Sequence, residues 1–134
     1  MQTKPRILAV MMAVATFVSF GASASQPANQ AAEAYMASVI NHDQGAARRL
    51  VVPGSQADTT WVDHSGNISR VEKSTGGKPL GFRTKQCAEL NKDLVVCEVG
   101  LTIGGKDDRS LVIRVQTADL KVKEAAMRIA RRRP

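Results

Sequence analysis

The chain has 134 residues, with 19 Lys and Arg against 12 Asp and Glu and a formal net charge of +7. That length suits one domain with a core of its own, and no internal repeat or low-complexity tract breaks it up. Beyond the N-terminal stretch no apolar run is long enough to cross a membrane.

The N-terminus reads as an export signal. Lys4 and Arg6 precede an apolar run from Ile7 to Phe20, and Ala22-Ser23-Ala24 has the small-x-small spacing that signal peptidase cuts. The run is shorter than the ~20 apolar residues of a spanning helix, and no cysteine follows it as a lipid attachment point. Residues 1–24 are therefore expected to be removed. This leaves a single periplasmic or secreted domain over 25–134 that does not span the membrane. Without Lys4 and Arg6 it keeps 17 basic and 12 acidic residues, a net charge of +5.

From Pro27 to Ile40 the pattern predicts a helix. Proline suits a first turn, and Ala32, Tyr35, Met36, Val39 and Ile40 recur on one face. Asn41-His42-Asp43 stops that helix, and Asp43 can cap a second one from Gln44 to Val51. Pro53-Gly54 ends it. Residues 55–67 are polar and turn-rich, and Ile68 to Lys73 reads as a first strand. Thr75 to Pro79 is a loop.

Three strands are then predicted: Leu80 to Leu90, Leu94 to Ile103 and Ser110 to Thr117, with Gly104 to Asp108 joining the last two. In the last of these Leu111, Ile113 and Val115 face one way, and Val112, Arg114 and Gln116 the other. Ala118-Asp119 can turn the chain once more, and the segment that follows fits both a strand, with Leu120 and Val122 alternating with Lys121 and Lys123, and a helix, with Val122, Ala125, Ala126 and Ile129 on one face; a strand from Leu120 to about Arg128 is favoured. Tyr35, Met36, Val39, Ile40, Val96, Leu111, Ile113 and Val115 form the expected core.

The only two cysteines, Cys87 and Cys97, flank the turn residues Asn91, Lys92 and Asp93. If Lys92 centres a three-residue loop, Leu90 faces Leu94, Ala88 faces Val96 and Cys87 falls opposite Cys97. Directly opposed residues bring their Cβ atoms within bridging reach. Export exposes them to an oxidising compartment. Neither a CxxC spacing nor a four-ligand set argues for redox or zinc chemistry. A structural disulfide is predicted, with no metal and no cofactor.

Helices followed by an antiparallel meander make an α+β layout, with one or two N-terminal helices packed on a curved sheet of four to five strands. The stretches "NHDQGAARRL", "SGNISRVEKS" and "LKVKE" carry a resemblance. The order is similar to that of the cystatin-like/NTF2-like superfamily, and most of all to the small exported DUF4878-like proteins. In those proteins the final strand opens Trp-Lys-Val, where this chain has Leu120. The resemblance implies a sheet wrapped around the first helix and a pocket between them, with Tyr35 and Trp61 as candidate pocket residues.

No Ser-His-Asp spacing, phosphate loop or HExxH motif occurs, so catalysis is not favoured and no catalytic residue is assigned. Tyr35 beside Asp58 or Asp63 would serve an isomerase-type site, but it also fits a core. His42 and His64 both lie in polar, turn-like stretches. Arg128, Arg131, Arg132 and Arg133 form a basic end suited to an envelope protein or an anionic surface. With no aromatic among them, nucleic acid is not expected. The function expected is that of an exported accessory or binding module acting through a sheet face or pocket. The alternative is a small-molecule-binding or isomerase-type enzyme.

Overall fold

The computed structural model describes residues 20–129, with side chains from Gln26 onward. Residues 7–19 of the apolar run expected to belong to an export signal, and Arg131, Arg132 and Arg133, lie outside those residues. Three helices come first: α1 (Phe20–Ile40), α2 (Gln44–Leu50) and α3 (Gln56–Ser74). Four strands follow: β1 (Leu80–Asn91), β2 (Leu94–Ile103), β3 (Lys106–Gln116) and β4 (Val122–Ile129). They form one antiparallel sheet in the order β1-β2-β3-β4. The helices pack on one of its faces, which is the expected α+β arrangement.

Helix α1 buries Ala28, Ala32, Tyr35, Met36 and Val39, spaced as a helical stripe. Pro27 sits inside it rather than in its first turn. A proline removes only one backbone bond from the ladder, and Ala22 and Ala24 before it favour helix, so the helix runs through. Thr84 ties α1 to β1, its hydroxyl lying 2.6 Å from both Asn29 Oδ1 and Glu33 Oε2. Asp43 caps α2 as expected, accepting from Ala46 N at 3.1 Å.

The polar stretch 55–67 and the strand expected at Ile68–Lys73 are instead one continuous helix, α3. Ser55 caps it by accepting from Asp58 N at 3.3 Å, and Asp58 Oδ2 reaches back to accept from Gly54 N at 2.9 Å. Ala57, Trp61, His64, Ile68 and Val71 are buried along it. This is a stripe of period 3.6, and its packing outweighs a run of Thr, Ser, Asn and Gly with modest helix propensity. The sheet therefore has four strands, all C-terminal to the helices.

The strand ends follow turn chemistry. Lys92-Asp93 is a two-residue turn, held by Asn91 Oδ1 accepting from Asp93 N and Leu94 N. Asn91 thus pairs with Leu94, and Leu90 is bulged out instead of facing Leu94. At the next hairpin Gly104 and Gly105 have φ of 58° and 85°, the positive pair a tight hairpin needs. Lys106 then pairs at once with Ile103, four residues before the expected start of this strand. Leu120 stands in the last turn with φ 59°, so β4 begins at Val122 and not at Leu120.

Val95, Cys97, Val99 and Leu101 of β2 face the helices, as do Leu111, Ile113 and Val115 of β3; all are buried. Val96 belongs to the other face and is half-buried, and Ile40 is half-buried at the margin. Both were expected in the core. Val96 misses it because the period-2 alternation that aims Val95 and Cys97 inward sends it outward.

Candidate functional site

Tyr35 and Trp61 come together through one serine. Tyr35 is 0% exposed and its hydroxyl donates to Ala57 O at 3.1 Å. Trp61 Nε1 donates to Ser38 Oγ at 3.1 Å, and Ser38 Oγ donates to Tyr35 O at 2.6 Å. These side chains fill the space between sheet and helices. Burial, and next the Asp58 carboxylate, raise the Tyr35 phenol above its ordinary pKa. A phenol that is buried, raised and already donating to a carbonyl has nothing left for a substrate. Asp58 is spent on the α3 cap, and Asp63 is exposed on α3.

Of the two histidines expected in turn-like stretches, only His42 lies in one. His64 is on α3 and 6% exposed. Its Nε2 lies 3.0 Å from Ala125 O. A carbonyl only accepts, so Nε2 carries the proton, and the buried Nδ1 has no partner. Gln56 Oε1 accepts from Ala125 N at 2.8 Å, and Val52 N donates to Val122 O at 2.9 Å. These three bonds satisfy the first half of the outward edge of β4. No bond from another element meets the outward backbone of β1 among the described residues. That strand is instead interrupted by bulges at Lys85 and Leu90, which discourage pairing with other chains.

His42 sits in the α1–α2 turn with φ 55°. Its Nδ1 is 2.7 Å from Ser65 Oγ and its Nε2 is 3.0 Å from Glu72 Oε1. The carboxylate fixes the proton on Nε2, so Nδ1 accepts from the serine. This is the bonding order of a hydroxyl-imidazole-carboxylate relay, made by residues 23 and 30 positions apart. Only the knowledge that 56–74 is helical would have shown Ser65 and Glu72, seven apart, on one helical face.

The chemistry stops there. Ser65 is mid-helix and 9% exposed, where the backbone N–H groups are engaged along the helix and none is left to stabilise an oxyanion. A hollow of about 390 Å³ opens beside Glu72, between Ile40, Asn41, Gly77, Lys78 and Leu80, and neither Ser65 nor His42 lines it. The trio braces the α1–α2 turn onto α3. A non-glycine residue with positive φ is strained by ~1 kcal/mol, and the two side-chain bonds offset that cost.

The open face of the sheet is organised differently. Ala88 faces Val96, and Val112 faces Ala126, which makes a small apolar centre. Around it Arg114 meets Glu124 at 3.7 Å, and Arg128 meets Glu98 at 3.7 Å. Glu98, only 16% exposed, also accepts from Ser110 Oγ at 2.7 Å. Arg83 pairs with Asp107. The bulge turns Lys85 so that its stem lies over Gly100, with Cε 2.9 Å from where a Cβ would stand. Any side chain at Gly100 would displace it.

Cys87 and Cys97 are bonded, with Cα atoms 4.0 Å apart, in the register expected. No cluster of His, Cys, Asp and Glu able to hold a metal occurs among the described residues. No described helix is long and apolar enough to cross a membrane. Compared with protein-family models, curated proteins and solved structures, the chain matches none.

Proposed function

We propose that this chain is a binding module of the cell envelope that presents the open face of its sheet to a partner. The observation that carries this is the one-sidedness of the fold. All three helices lie on one face, and the other holds an apolar centre rimmed by arginines. The disulfide supports an oxidising compartment, which agrees with the export signal expected from the sequence. The pocket-enzyme alternative loses its support, because Tyr35 and Trp61 fill the interior instead of lining a cavity. The resemblance to NTF2-like and cystatin-like proteins is consistent with a sheet packed on α1.

Site-specific photocrosslinking in the producing cell tests this. A photoreactive residue at the exposed Ala126 on the open face is expected to give a crosslinked adduct, and one at the exposed Lys73 on α3 is expected to give none. Adducts from Lys73 alone would reverse the reading.

A further inference from the structure

We propose that the hollow at the hairpin end of the open face, where β1 finishes and β4 starts, binds a short zwitterionic peptide; this rests on the open-face reading above. The hollow has a volume of about 380 Å³ and is lined by Asn91, Asp93, Leu94, Gln116, Ala118 and Lys123. That volume suits a small ligand. Asn91, Leu94 and Gln116 stand in one row across β1, β2 and β3. Val95 and Val115, their neighbours in sequence on β2 and β3, are buried against the helices, so alternation turns Leu94 and Gln116 to the open face.

The two carboxamides are fixed in opposite senses. Asn91 Oδ1 accepts from Asp93 N at 2.8 Å and from Leu94 N at 3.0 Å, which leaves Nδ2, a donor. Gln116 Nε2 lies 3.2 and 3.3 Å from the two carboxylate oxygens of Asp119. A carboxylate only accepts, so Gln116 keeps Oε1, an acceptor. No bond meets Asn91 Nδ2 or Gln116 Oε1 among the described residues. Each amide thus spends one half on its own turn and keeps the other.

The charges match the same ligand. Asp93 and Lys123 are exposed, and neither makes an ion pair among the described residues. Asp93 precedes β2, Lys123 lies on β4, and β3 runs between them. Two strand spacings are ~10 Å and an extended dipeptide is ~7 Å long, so the reach of the two side chains closes the gap. The β1–β2 side of the hollow offers a carboxylate and a donor, and the β3–β4 side an acceptor and an ammonium. A dipeptide carries its ammonium and carbonyl in the first half, and its N–H and carboxylate in the second, which is the complementary order. Leu94 and Ala118 supply apolar contact for its side chains. A neutral sugar would leave both charges without a partner.

Titration of the exported, disulfide-bonded protein with alanyl-leucine, followed by heteronuclear NMR, is the test. The side-chain amide signals of Asn91 and Gln116 and the backbone signal of Leu94 are expected to move at millimolar dipeptide. Acetylating the dipeptide's amine, or amidating its carboxylate, should weaken binding about tenfold in each case, because each removes one charge-assisted bond. Asp93→Asn should weaken the free dipeptide about tenfold and the acetylated one no further, which couples Asp93 to the ammonium. Lys73→Gln, on α3, should change nothing. If Asp93→Asn disturbs the turn, the blocked dipeptides with the unaltered protein give the same answer. No movement of these signals, equal binding of a dipeptide blocked at both ends, or binding of maltose without binding of the dipeptide would overturn the proposal. If the titration fails while the Ala126 crosslink persists, the peptide proposal falls and the open-face reading stands; if both fail, both fall.

Discussion

Tyr35 carries the chain's single phenol, and burial decides what it can do. In the unfolded chain it ionises near its ordinary value of 10.0, while folding holds it protonated above that. As pH climbs past 10 the unfolded chain sheds a proton that the folded chain keeps. Stability from this group is therefore complete below that pH and declines above it. Tyr35→Phe is expected to remove this part of the alkaline loss, at a cost of about 1 kcal/mol near neutrality because Ala57 O loses its donor. Denaturant melts of both proteins across alkaline pH measure this, and with one tyrosine the phenolate absorbance reports Tyr35 alone. The His42 trio allows an equally direct check. A serine-directed fluorophosphonate is expected to leave Ser65 unlabelled, whereas labelling abolished by His42→Ala would show a nucleophile rather than a brace.

At the scale of elements, the hairpin β1–β2 is held by its disulfide. Replacing Cys87 and Cys97 with alanine should cost about 2–3 kcal/mol, the loss expected when a short loop is released, with crosslinking from Ala126 retained below the melting temperature. This hairpin also shows how sequence and structure relate. The pairing of the cysteines was legible although the turn was not. A three-residue loop and a two-residue turn with Leu90 bulged both set Cys87 opposite Cys97 and Ala88 opposite Val96. The strands were readable because alternation and the Gly104-Gly105 turn are local signals. Helix α3 was not, since its evidence is a stripe spread from Ala57 to Val71 in a segment whose residues favour turns one by one. Missing that helix hid the whole His42–Ser65–Glu72 arrangement, because Ser65 and Glu72 share a face only if the segment is helical. The open face was half legible: Val112 and Arg114 were read as pointing away from the core, but Val96 was read as pointing into it.

For the molecule as a whole, charge and topology act together. Basic residues far apart in sequence, Arg83 on β1 and Arg128 on β4, are brought into one row only by the meander. Reading the sequence alone found the last cluster, Arg128 to Arg133, because it is contiguous. It did not find Arg83, which shares a cross-strand row with Arg128 through Gly100 and Ser110. The two borders of the sheet are just as unequal. Gln56, His64 and Val52 occupy the first half of the outward backbone of β4, while no bond from another element meets that of β1 among the described residues. Main-chain pairing of β1 with the β1 of a second copy joins two subunits and leaves each only the second half of its β4 border. Assembly by β1–β1 pairing is isologous and closes at two copies. On concentration, light scattering is expected to show monomer or dimer with no ladder of larger species. Gln56→Ala, which frees Ala125 N on the guarded border, is the variant expected to lift that ceiling.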